Sequence, residues 1–91
     1  MTQSEIEQRI KAMMIERLRL DTSVETFASD AALFGPDSPF DLDSIDALEI
    51  TLGMEETFRF HIDEREIGKN QFRSVATLAE FVQKKLAASE H

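Results

Sequence analysis

Cysteine is absent from the chain, and so are tryptophan and tyrosine. Without a thiol there is no disulfide framework, no thiolate nucleophile and no sulfur-ligated zinc site. Seven Phe must supply all the aromatic bulk, which makes for a thin core. No apolar run approaches the ~18 residues that a membrane span needs, and no charged-then-apolar leader opens the sequence, so the cytoplasm is the expected compartment. The strict alternation of a half-buried strand is missing too, which argues against a sheet. Bases are scarce: 10 against 18 acids, a formal net charge of -8. Residues 41–56 hold six acids and no base. Such a block repels phosphate backbones and anionic lipid, excluding nucleic acid and membrane as direct ligands, and it attracts a basic patch on another protein.

What is present fits one small domain, residues 1–91, expected to be a monomer, because a chain of this length closes around a single core. Ile6, Ile10, Met13, Met14 and Leu18 recur at helical spacing, and Ser4 followed by Glu7 is a capping-box pattern that predicts the start of a first helix. From Asp21 to Asp43 the pattern dissolves around Gly35, Pro36 and Pro39, with Leu33, Phe34 and Phe40 available to pin a long loop to the core. A second helix is predicted from Ser44 to Phe58, with Asp43 as its N-cap. Gly68 limits the next stretch to a turn or two of helix. Ser74 then caps a last helix that stacks Val75, Leu78, Val82 and Leu86. The predicted fold is all-α: a bundle of three principal helices plus one short one, with a long loop between the first and second.

The stretch DLDSIDALEI, residues 41–50, concentrates the chemistry. On a helical wheel Asp46, Glu49, Gly53 and Glu56 share an arc. Ile45, Leu48 and Leu52 flank it on one side, and Ala47, Ile50, Met54 and Phe58 on the other. An acid arc beside exposed aliphatics suits docking, with charge steering the encounter and apolar contact holding it. The plainer account of each feature is a capping serine, a solvated acid face and methionines that fill the core. Two chemistries fail on the residues themselves. An EF-hand counted from Asp41 puts Ile45, Asp46 and Leu52 where a third oxygen ligand, Gly and Glu are required. A serine hydrolase needs a Gly-x-Ser-x-Gly elbow and a histidine, and neither His61 nor His91 has any visible relation to Ser44. No metal site is read from the sequence.

Asp43-Ser44-Ile45, with Asp46, Leu48, Glu49, Glu55, Glu56 and Phe58, resembles the Asp-Ser-Leu motif and second helix of acyl carrier proteins. The likeness extends over nearly the whole chain, including a short third helix after His61-Ile62-Asp63-Glu64. It implies that Ser44 is the attachment point for 4'-phosphopantetheine, transferred from coenzyme A by a magnesium-dependent phosphopantetheinyl transferase. The chain would then be a carrier of thioester-linked acyl groups and not an enzyme. The resemblance further implies fatty-acid, polyketide or related lipid biosynthesis, and partner synthases, ligases or transferases with basic docking patches. Asp43, Ile45, Asp46, Glu49, Leu52 and Glu56 are the expected docking residues. Ile50, Met54, Phe58 and Ile62 are candidates for lining an acyl pocket, against the alternative that they simply pack a solid core. A phosphodiester on Ser44 would lie at the positive end of the second helix, where an anion gains roughly 0.3 to 1 kcal/mol.

The sequence departs from the common family pattern in places. Ile45 follows the serine where Leu is usual, and Leu42 stands where a small residue is common. Gly53 interrupts the helix at about 1 kcal/mol relative to Ala. Residues 57–73 carry Arg59, Arg65, Lys69 and Arg73 against Asp63, Glu64 and Glu66, where the family's usual form is acidic. These differences imply a specialised carrier beside a general synthase. Two alternatives stand: an aminoacyl or peptidyl carrier, and a noncovalent acidic interaction module that never carries a prosthetic group.

Overall fold

The computed structural model describes residues 1–89; His91, which the sequence gave no role, lies outside them. The described residues form three α-helices: α1, Gln3–Leu18; α2, Ser44–Phe58; and α3, Val75–Ser89. A single 3-10 turn at Gln71–Arg73 is the short fourth element. Among the described residues there is no strand.

α1 packs against both other helices, because Ile6, Ile10 and Met14 recur every four residues and lie on the side it buries. Its cap is one turn fragment earlier than the sequence suggests. Thr2, not Ser4, accepts the Glu5 amide, and Glu5 reaches back to the Thr2 N–H. Both pairs satisfy the capping-box pattern, so the choice is tertiary. Glu7 is occupied elsewhere, accepting from the Ser29 hydroxyl at 2.7 Å and from Gln3 Nε2 at 3.2 Å.

The long connection is well anchored. Leu33 and Phe27 are buried, and Phe34 and Phe40 pack against the core. Phe27 faces Phe40 at 4.8 Å between ring centroids, and Phe34 meets Phe72 edge-on at 5.9 Å. Two backbone bonds tie the loop to the start of α3: Leu33 N–H to Arg73 O, 3.1 Å, and Ala76 N–H to Ser29 O, 2.9 Å. The second satisfies one of the amides that a helix start leaves without an internal acceptor. Ser74 caps α3 as expected, its hydroxyl accepting the Thr77 amide at 3.2 Å.

Gly53 has a packing reason. A Cβ there would meet the Met13 sulfur and stand 2.8 Å from Met13 Cγ, so α1 and α2 approach closely only without a side chain at this position. After α2 the chain turns at Arg59, whose backbone is left-handed (φ 58°). The Ile62 N–H then donates to Glu55 at 2.7 Å, which seats Ile62 in the core.

Candidate functional site

Ser44 is the first residue of α2 and is exposed. Asp43 does the capping: its carboxylate accepts the amides of Ile45, 3.0 Å, and Asp46, 3.1 Å. Asp46 completes the box by accepting the Asp43 N–H at 3.0 Å. Asp41, two residues earlier, adopts a left-handed backbone (φ 53°), a conformation Asp tolerates better than most residues. It swings the chain into the helix. Cap and presented hydroxyl are therefore separate residues.

A groove of about 1070 Å³ opens beside Ser44. Its walls come from the long loop (Phe34, Leu42), the first turn of α2 (Ala47), and the Phe72 to Thr77 stretch, with Lys69, Arg73, Asp30 and Asp43 as its charged lining. The residues the sequence offered as pocket lining are elsewhere. Ile50 and Met54 are fully buried, Phe58 and Ile62 nearly so, and all four belong to the packed core; none lines the Ser44 groove. Leu42 also lines a second groove of about 600 Å³, formed with Leu18, Leu20, Phe27, Phe40 and Asp46. A pattern search along α2 misses these linings because they are assembled from segments far apart in the chain.

The expected docking residues divide. Ile45 and Leu48 are 70% and 59% exposed, and Leu52 is 39% exposed, a one-sided aliphatic stripe that begins next to Ser44. Glu49 and Glu56 do not face solvent alone. Arg17, from the last turn of α1, pairs through Nη1 with Glu56 and brings Nη2 to 3.8 Å from Glu49. Asp43 and Asp46 spend their carboxylates on the cap. No single-helix wheel could place Arg17 there.

Downstream, one cation of residues 57–73 is paired locally, Arg65 forking onto Asp63, while Lys85 of α3 bonds the segment's Glu66 at 3.0 Å. The Arg65 guanidinium and then its amide hold the Asp63 carboxyl below its ordinary pKa. Glu66 is lowered first by the Asp63 N–H and then by Lys85. Among the described residues no group of three or more His, Asp or Glu is placed to hold a metal, and no helix is long and apolar enough to cross a membrane.

No family model matches the sequence. Individual proteins do. The chain is 32% identical over 88 residues to the acyl carrier protein of Thermosynechococcus vestitus, covering 97% of this chain and the whole of the relative. Its fold is similar to the solution structure of a holo acyl carrier protein from Nitrosomonas europaea, with a TM-score of 0.75 at 28% identity over 89% of this chain and 95% of that one. A chain in the crystal structure of an engineered Bradyrhizobium japonicum glycine:[carrier protein] ligase, complexed with carrier protein from Agrobacterium tumefaciens, matches at TM-score 0.68. That match has 23% identity, over 85% of this chain and 97% of that one, and carries the fold alone.

Proposed function

Because the chain belongs to the acyl carrier protein family, we propose that Ser44 is its modification site and that it carries acyl groups for fatty-acid, polyketide or related lipid biosynthesis. The observation that supports Ser44 is its separation from the cap: Asp43 binds the helix amides, and the serine hydroxyl stays exposed at the mouth of a groove.

The residues present fit a 4'-phosphopantetheine arm. The N-terminal end of α2 favours an anion, and Lys69 and Arg73 line the adjoining groove. Attached there, the arm supplies the thiol on which acyl groups are carried. The chain's own contribution is to present and to shelter. α2 holds the hydroxyl outward through its cap, and Phe34, Leu42, Ala47 and Phe72 offer apolar walls beside it, each methylene covered gaining about 0.8 kcal/mol. Lodging cargo in this groove leaves the packing of Ile50 and Met54 undisturbed. A polypeptide without cysteine also offers no competing thiol. The weaker acidity of residues 57–73 supports a dedicated pathway whose enzymes differ from those of a general synthase.

The test is a mass measurement. Purified chain incubated with coenzyme A, magnesium and a broad-specificity phosphopantetheinyl transferase should gain one phosphopantetheine, and Ser44→Ala should gain none. No gain on the unaltered chain, or a gain that survives Ser44→Ala, favours the noncovalent interaction module or a different attachment residue.

A further inference from the structure

Arg17 reaches α2 across the notch left by Gly53. A Cβ at position 53 would stand 3.0 Å from Arg17 Cδ and closer to Met13, so the side chain crosses the helix there because residue 53 has none. Beyond the notch its guanidinium divides between Glu56 and Glu49. Arg17 Nε is buried without a hydrogen-bond partner, which ordinarily costs more than it returns. Here the two carboxylates hold the group in place. One cation between two anions halves the net charge that the pair presents. Asp46, the remaining acid of the arc, is tied into the α2 cap. Glu56 stays 70% exposed, so what the fold removes from the arc is charge, not surface, and Ile45, Leu48 and Leu52 are left exposed.

We propose that Arg17 is a specificity-determining residue of the α2 docking face: it offsets one of the two charges that Glu49 and Glu56 offer an incoming basic patch and so favours an enzyme that covers Ile45, Leu48 and Leu52 with an apolar cleft. This rests on the carrier reading, in which enzymes approach α2 to act at Ser44. The occupant follows from position and charge. An enzyme acting on the Ser44 hydroxyl must lie against the adjoining residue, Ile45. Leu48 and Leu52 continue the same stripe at helical spacing. A partner led by basic side chains would meet carboxylates already paired, whereas an apolar cleft displaces only water from the stripe.

The experiment measures the initial rate of Ser44 modification at low and high salt, using a broad-specificity phosphopantetheinyl transferase with a basic docking surface. Arg17→Gln frees both carboxylates, so it should be modified about threefold faster or more at low salt, with the advantage lost at high salt. Adding Glu49→Gln and Glu56→Gln to Arg17→Gln should abolish the gain, leaving a rate no higher than that of the wild type. Leu48→Ser should slow the reaction at both salt concentrations. Arg17→Gln with the wild-type rate and salt dependence, and an unchanged circular dichroism spectrum, overturns the proposal. If that variant loses helicity, Arg17→Lys replaces it: one ammonium cannot fork onto two carboxylates, so a smaller gain of the same sign is expected, and no gain overturns the proposal. The carrier reading fails separately, by the absence of any mass gain on the wild type.

Discussion

The two sides of α2 carry nearly the same aliphatic chemistry and meet opposite fates. Ile50 and Met54 are wholly buried, while Ile45 and Leu48 stand mostly in water. Three short helices can cover only part of each other, and α1 meets α2 at Gly53, at the edge of the side that buries Ile50 and Met54. Among the described residues the other side is left exposed, and it begins next to the serine. Apolar composition therefore does not distinguish core from contact surface here; the position of Gly53 does. One side stabilises the fold, and the other is available to a partner.

The largest effects should separate these sides. Ile50→Ala or Met54→Ala removes fully buried atoms and is expected to cost about 2–5 kcal/mol in urea unfolding. Ile45→Ser and Leu48→Ser should stay within roughly 0.5 kcal/mol, yet Leu48→Ser should slow modification at Ser44. A stability loss for Leu48→Ser as large as that for Met54→Ala would erase the distinction.

Gly53 lies on the seam between them, and its substitution sharpens the comparison. In an open helix Gly→Ala gains about 1 kcal/mol. Here the new Cβ runs into Met13 and Arg17, so Gly53→Ala should destabilise by about 1 kcal/mol through overpacking. Trimming the obstacle in Gly53→Ala/Met13→Ala should recover part of the loss relative to Met13→Ala alone. An outright gain for Gly53→Ala would mean that the helices do not meet at this notch.

Much of this was legible from the sequence because it is local. The α2 limits, the Asp43 cap and the apolar spacing of α1 and α3 depend on neighbours three and four residues apart. Ser44 is singled out by motif, since the residues that flank it lie within ten positions. What could not be read is non-local. The Ser4 cap expected from the sequence gives way to Thr2 because Glu7, its box partner, is engaged by Ser29. The Ser44 groove joins loop, α2 and α3, so a pattern along α2 leaves pocket lining and solid core equally open for Ile50, Met54 and Phe58, which the fold places in the core. Arg17 belongs to another helix, so a wheel of α2 shows an unpaired acid arc where the fold has an ion-paired one.

The smallest effect concerns protons, and it contrasts the buried side of α2 with the turn that follows the helix. Packing at Ile50 and Met54 involves no titrating group, but the turn at residues 63–66 is held by carboxylates. Glu66 accepts the Asp63 N–H at 2.8 Å and Asp63 accepts the Arg65 N–H at 2.9 Å. Both carboxyls have folded-state pKa values below their ordinary ones. Their contribution is therefore complete above the ordinary carboxylate range and is lost as pH falls through the lowered values. Amide exchange followed by NMR in progressively more acid buffer should show Asp63 and Arg65 losing protection while the Met54 amide keeps it. Glu66→Gln should remove the acid sensitivity at Asp63 and leave Met54 as it was. Loss of protection at Met54 at the same pH as at Asp63 would mean that the turn and the buried side of α2 open as one unit.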